Sequence, residues 1–134
     1  MGAFGWMRSG MLCESEVTQA DLKQLESYLD QLYGQIDIDI NFTRHFLDRV
    51  NDARNPTPIT IEELTKIFKD EFRVYGRKIG QLGPDAEAVM KDMKTNVNIP
   101  FVLNWDRRNE ELDLIAKTAM KKKNFKTSNP EFPV

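Results

Sequence analysis

The stretch from Ile36 to Arg54 reads IDIDINFTRHFLDRVNDAR and decides the fold. Its first eight residues alternate between apolar and polar side chains. The apolar set is Ile36, Ile38, Ile40 and Phe42, and the polar set is Asp37, Asp39, Asn41 and Thr43. A period of two, with β-branched residues in the apolar set, predicts a strand over Ile36–Thr43 with one buried face.

The second half of this stretch predicts a short helix. Thr43 can cap a helix that runs from Arg44 to about Ala53. His45 and Arg49 lie one turn apart on the same side of that helix. The sequence NPTP that begins at Asn55 stops the helix, so Arg54 lies at its end, where a cation complements the helix dipole.

Three further helices are predicted from periodicity and caps. The first runs from Val17 to Tyr33, with a weak capping box at its start and Gly34 as its C-cap. A clear capping box, Thr60-Ile61-Glu62-Glu63, begins a second helix that Gly76 ends. The Gly83-Pro84-Asp85 turn opens a third, short helix, from about Asp85 to Met93.

A hairpin closes the predicted fold. Its strands are Asn98–Trp105 and Glu111–Met120, and Pro100 indicates an edge strand or a strand start. We therefore expect an α+β fold with a small, mainly antiparallel sheet of three to four strands and helices packed on one face. The single domain covers residues 17–128. It is preceded by an apolar N-terminal arm, residues 1–16, and followed by a C-terminal tail, residues 129–134.

Composition excludes several kinds of site. The chain has 134 residues and a formal net charge of −2, so any attraction to nucleic acid must come from a local basic patch. Its single histidine excludes a multi-histidine metal site, and its single cysteine, Cys13, excludes a disulfide within one chain. No apolar run approaches the ~20 residues of a membrane span, and we expect no signal peptide.

The candidate chemistry centres on His45, Arg49 and Arg54. Metal-independent RNA cleavage needs a base, an acid and cations that stabilise charge on the phosphate. A histidine can supply the proton transfer and arginines the phosphate contacts. The candidate nucleic-acid-binding cations come from the hairpin loop and the lysine-rich segment after it: Arg107, Arg108, Lys121, Lys122, Lys123 and Lys126. Lys117, on the preceding strand, joins the candidate catalytic set.

Other interpretations of the same residues stay open. His45 can be a simple polar contact, and the lysines can be a solvated face. Asp37 and Asp39 could bind a metal ion, although two carboxylates on the exposed face of a strand more often protect a sheet edge. Cys13 and His45 could in principle form a nucleophile–base pair. No cofactor or metal site is predicted.

Two segments resemble small RelE-like domains of the barnase–EndoU–colicin–RelE group, which includes BrnT-like ribonuclease toxins. NFTRHFLDRVNDARNPTPITIEELTKIF (41–68) resembles their entry segment, and ELDLIAKTAMKKKNF (111–125) resembles their closing strand. The resemblance implies that His45 acts as acid or base and that Arg49 and Arg54 contact phosphate. It also implies that Lys117 and Thr118 form a polar pair on the last strand.

Residues 81–125 are also similar to small proteins of large tailed phages. Together the two resemblances imply a phage-encoded RelE-like domain that binds RNA or cleaves it without metal, in the cytoplasm of an infected bacterium. The alternative is a virion structural or accessory protein without catalysis. It would dock on other virion proteins through residues 1–12 and the tail at Phe132-Pro133. An antitoxin-like or host-takeover binding module is a third interpretation.

Overall fold

The computed structural model describes residues 16–134. This part of the chain is α+β, as predicted. Its helices are α1 (Gln19–Tyr33), α2 (Phe46–Val50) and α3 (Ile61–Gln81). Its strands are β1 (Ile38–Phe42), β2 (Glu87–Lys91), β3 (Val97–Asp106), β4 (Glu111–Ala116), β5 (Met120–Lys121) and β6 (Glu131–Pro133). The predicted docking segment, residues 1–12, and Cys13 lie outside the described residues.

The strands form one mixed sheet. Its order is β1-β4-β3-β2-β6, and the short β5 pairs with β3. β1 runs parallel to β4 and β6 runs parallel to β2, whereas the pairings of β3 with β2, β4 and β5 are antiparallel. The predicted sheet of three to four strands was therefore too small, and it lacked both parallel pairings.

β1 shows the predicted alternation. Ile38 and Ile40 are fully buried, while Asp39 between them is partly exposed. The strand begins two residues later than predicted because Gly34–Ile36 form a 3-10 turn. Asp37 ends that turn in the left-handed conformation, with φ of 60°. The turn reverses the chain, so α1 packs beside the strand that follows it.

Both predicted capping boxes are confirmed. The Thr18 hydroxyl accepts from the Asp21 amide at 3.1 Å, and the Thr60 hydroxyl accepts from the Glu63 amide at 3.1 Å. The predicted end of α3 at Gly76 was wrong, because the helix continues to Gln81. Gly76 is buried within the helix, and a Cβ there would meet the Phe72 ring at 3.4 Å, an ordinary contact distance.

The predicted helix from Asp85 to Met93 was also wrong, because this segment forms β2. β2 lies between β3 and β6, inside the sheet. Ala88, Val89 and Met90 are all buried, so both faces of the strand are covered. A strand covered on both faces has a continuous apolar run in place of alternation, and its sequence resembles a short buried helix.

The hairpin of β3 and β4 is confirmed, but Pro100 does not lie on an edge. β3 is central, between β4 and β2. The Pro100 carbonyl accepts from the Lys117 amide at 2.9 Å, just after β4 ends at Ala116. The carbonyl and the nitrogen of a strand residue point to the same side, so the nitrogen of Pro100, which has no hydrogen to donate, also faces the end of β4. The missing donor of the proline therefore coincides with the break between β4 and β5.

The C-terminal residues, predicted to be a tail, supply β6. Phe132 is 7% exposed, and its ring lies 5.1 Å from that of Tyr75 on α3. β5 pairs with β3 and β6 pairs with β2, so residues 122–130 form a segment that crosses between two parts of the sheet. The Lys91 ammonium donates to the Phe125 carbonyl in this crossing segment at 3.1 Å.

The hydrophobic core lies between the sheet and the helices. The buried side chains of one sheet face meet α1 and α3, and α2 closes one end through Phe46 and Val50. The largest fully buried side chains are Tyr33, Phe46, Phe68, Phe101, Leu29, Ile38, Ile40, Ile59, Leu64, Ile67, Ile79 and Met90. α2 and the β4–β5 break therefore lie at the rim of the core, where side chains can reach solvent.

Candidate nucleic-acid interface

The short helix α2 positions two of the predicted site residues. Its buried Phe46 and Val50 hold it on the core, and the Phe46 ring lies 4.7 Å from that of Phe42. His45 is exposed at the N-cap, and its side chain makes no capping hydrogen bond. The predicted cap, Thr43, instead donates its hydroxyl to the Lys117 carbonyl at 2.8 Å. Arg49 is exposed one turn after His45.

The loop after α2 carries Arg54. Its guanidinium forms an ion pair with Asp52 at 2.7 Å, and 78% of its side chain is exposed. Hydrogen bonds from the Arg54 side chain and amide lower the pKa of Asp52 to about 2. Asn55 anchors the loop, because its side-chain amide donates to the carbonyls of Arg49 and Val50 at 3.2 Å.

A cleft of about 570 Å³ separates this loop from the β4–β5 connection. One wall is formed by Arg49, Asp52, Arg54, Asn55 and Pro56. The other is formed by Thr118, Ala119, Met120, Lys121, Lys122 and Lys123. We call this the basic cleft, because its lining holds five cationic side chains and a single carboxylate. Its positive charge comes from two segments that are distant in sequence.

Six of the predicted site residues therefore line one cleft. They are Arg49, Arg54, Thr118, Lys121, Lys122 and Lys123. His45 and Lys117 do not line it, and Lys117 instead pairs with Glu87 at 2.9 Å. Lys126 lies in the crossing segment. Arg107 and Arg108 lie in the β3–β4 loop, at the other end of β4 and roughly 20 Å from Thr118 along that strand.

Lys121 differs from its two lysine neighbours. Lys122 and Lys123 are exposed, whereas only 10% of the Lys121 side chain is exposed. The Lys121 ammonium donates to the Thr57 hydroxyl at 2.7 Å and to the Pro58 carbonyl at 3.1 Å, and it pairs with Glu63 at 3.0 Å. The three lysines are equivalent in the sequence run, and only the fold distinguishes Lys121 from the others.

The basic cleft has the chemistry of a phosphate-binding surface. Exposed arginine and lysine side chains bind phosphate oxygens through charge-assisted hydrogen bonds. Acid–base catalysis requires a proton-transferring group within hydrogen-bond reach of the reacting atom. Among the residues that line the cleft, the carboxylate of Asp52 is bound to Arg54, and the histidine lies outside the lining. The lining of the cleft therefore supplies cations that can bind phosphate and contains no histidine.

Three carboxylates form a second cluster that the sequence alone did not reveal. The parallel pairing of β1 with β4 sets Asp39 beside Asp113, and Glu111 joins them. One oxygen from each residue lies within 4.8 Å of the others. Three carboxylate oxygens at this spacing could coordinate a hard cation. Burial, followed by the charge of Asp39, raises the pKa of Asp113. Of the predicted pair, Asp39 belongs to this cluster and Asp37 does not.

This acidic cluster extends onto α1. Asp30 accepts a hydrogen bond from the Ile40 amide at 2.9 Å, on the outer edge of β1. Burial raises the pKa of Asp30 to about 6, against the lowering effect of that hydrogen bond, and Asp39 adds to the rise. Asp113 and Thr118 are separated by roughly 16 Å along β4, so the acidic cluster and the basic cleft are distinct surfaces.

Comparisons with known proteins identify no relative. No family model matches the chain, and no match was found among curated proteins or solved structures. Within residues 16–134, none of the helices combines the length and the apolar character that a membrane crossing requires.

Proposed function

We propose that this chain is an RNA-binding domain that holds the phosphate backbone of RNA in the basic cleft. The observation that carries the proposal is the convergence of Arg49 and Arg54 with Lys122 and Lys123 on one cleft. The choice of RNA as ligand rests on the resemblance to RelE-like domains. The net charge of −2 makes this local concentration of positive charge the main attraction for a polyanion.

Cleavage is not included in the proposal. A ribonuclease of the RelE-like kind would need His45 at the reacting phosphate, and His45 does not line the cleft. We expect a labelled RNA to remain intact at high protein concentration in the presence of a chelator. Cleavage that disappears in His45→Ala would contradict this expectation and would favour the ribonuclease interpretation.

The experiment measures binding of a labelled single-stranded RNA of 12 nucleotides by fluorescence anisotropy over a range of salt concentrations. The double variant Lys122→Gln/Lys123→Gln removes two charges from the cleft. We expect it to bind roughly tenfold more weakly, with a salt dependence reduced by about 1.4 in log–log slope, because each phosphate contact contributes about 0.7 for single strands.

The matched control is Arg107→Gln/Arg108→Gln, which removes the same charge from the far end of β4. We expect this variant to retain affinity within about twofold of wild type, since exposed charges beyond a Debye length are largely screened. Equal losses in both double variants would contradict binding in the cleft, because they would indicate a response to net charge alone. No binding by the wild-type chain would overturn the proposed function.

A further inference from the structure

We propose that Lys121 is a positioning residue that sets the width of the basic cleft, and that it does not contact RNA. The inference rests on the proposed function. It is argued from the ammonium group of Lys121, which binds Thr57, Pro58 and Glu63, three residues outside the cleft lining, and from the side chain, of which only 10% is exposed. Lys122 and Lys123 remain exposed beside it.

The Lys121 side chain ties the two walls of the cleft together. Its backbone belongs to β5, in the second wall, and its ammonium binds Thr57 and Pro58 in the loop that continues the first wall. The Lys121 amide adds a third connection, because it donates to Asn55 Oδ1 at 3.0 Å. The loop between Arg54 and Ile59 is therefore fixed relative to β5 by one residue.

Glu63 completes this connection from α3. One of its carboxylate oxygens, Oε2, lies 3.0 Å from the Lys121 ammonium. The other, Oε1, accepts from the Thr60 amide at 3.0 Å in the capping box. An ammonium that is mostly desolvated needs such a counter-charge, because an unpaired buried charge is strongly unfavourable. Glu63 thus holds Lys121 in the position that joins the walls.

The substitution Glu63→Gln separates positioning from simple electrostatics. The glutamine retains an oxygen for the Thr60 amide and loses the charge that binds Lys121. If electrostatics alone governed RNA binding, removal of a carboxylate near a basic cleft would strengthen binding. If Lys121 positions the walls, the loop that carries Arg54 loosens and binding weakens. The two explanations therefore predict effects of opposite sign.

The control is Glu62→Gln, which removes the same charge from the preceding residue. Glu62 is exposed in the first turn of α3 and lies on the solvent side of that helix. We expect Glu63→Gln to bind the 12-nucleotide RNA about threefold to tenfold more weakly, with a smaller salt slope. We expect Glu62→Gln to bind as tightly as wild type or more tightly.

A second variant, Thr57→Val, tests the same connection without a change of charge. It removes the hydroxyl that accepts from Lys121 at 2.7 Å, in an exposed loop residue whose replacement leaves the core intact. We expect a smaller loss of RNA affinity in the same direction. If Glu63→Gln proves unfolded by circular dichroism, this variant decides the question.

The possible outcomes distinguish the two proposals. Weaker binding by Glu63→Gln and Thr57→Val, with Glu62→Gln unaffected, supports positioning by Lys121. If the wild-type chain binds RNA, and Glu63→Gln and Thr57→Val bind it as tightly or more tightly, the positioning role is overturned. The proposed function then remains intact. Absence of RNA binding by the wild-type chain overturns both.

Discussion

At the scale of single residues, burial changes the chemistry of one carboxyl group in the core. Glu71 on α3 is 0% exposed, and among the described residues neither of its carboxylate oxygens has a hydrogen-bond partner. Burial raises its pKa to about 9, the nearby Lys91 backbone amide opposes that rise, and the charges of Asp70 and Asp92 add to it. Glu71 is therefore protonated and neutral in the folded chain at pH 7.

This protonation predicts a pH-dependent stability. The unfolded chain loses the Glu71 proton near pH 4.5, whereas the folded chain keeps it until about pH 9. The stabilising contribution of the raised pKa is complete below pH 4.5 and is lost as the pH rises toward 9, by at most about 1.4 kcal/mol per pH unit. We expect Glu71→Gln to remove this decline in urea unfolding experiments at pH 5, 7 and 9.

The control for Glu71→Gln is Glu62→Gln, on the exposed face of the same helix. It should leave the pH dependence of the free energy of unfolding as it is in the wild type. If the wild type and Glu71→Gln showed the same pH dependence, Glu71 would not be the buried neutral carboxyl described here.

At the scale of elements, the helices and strands that could be predicted from the sequence are those whose signal lies within a few neighbouring residues. The alternation of β1 and the two capping boxes are visible within a few residues, and all three are present in the structure. β2 and β6 depend on partners distant in the chain. β2 lacks alternation because both of its faces are covered, and the three residues of β6 are too few for a periodic pattern.

β6 should contribute strongly to stability despite its length. Phe132 is buried against Tyr75, and the Tyr75 hydroxyl donates to the Pro133 carbonyl at 2.8 Å. We expect Phe132→Ala to lower the free energy of unfolding by about 3 kcal/mol, as for other buried aromatic truncations. Denaturant unfolding of Phe132→Ala and of Val74→Ala provides the test. Val74 is 56% exposed, and its truncation should cost less than about 0.5 kcal/mol.

The buried Phe132 also bears on how this chain could dock on a partner. A C-terminal tail that binds another protein through Phe132 would need that ring to be exposed. In the fold the ring belongs to the core and is not available to a partner. A loss of stability in Phe132→Ala as small as that in Val74→Ala would contradict the role of β6.

At the scale of the whole molecule, opposite charges lie on separate surfaces. The basic cleft lies at the C-terminal end of β4, and the acidic cluster of Asp39, Glu111 and Asp113 lies toward its start. A formal net charge of −2 conceals this separation, because it sums the 19 basic and 21 acidic side chains of the whole chain. Steering of an RNA to the cleft would depend on the local potential of that surface.

The candidate site could be predicted from the sequence only in part. Arg49, Arg54 and the lysine run are visible as local groups of charge, and the structure brings them to one cleft. The direction of each side chain depends on long-range pairing. Lys117 points toward Glu87, and Lys121 is enclosed by Glu63, a residue of a helix that begins far earlier in the chain. No local pattern contains that information.

The most direct test of the central claim is an NMR titration of the isotope-labelled chain with the 12-nucleotide RNA. If RNA binds in the basic cleft, the amide signals that shift will be those of residues 49–56 and 118–123, while those of residues 106–113 remain in place. Shifts centred on the hairpin loop at Arg107 and Arg108, or no shifts at all, would contradict the account.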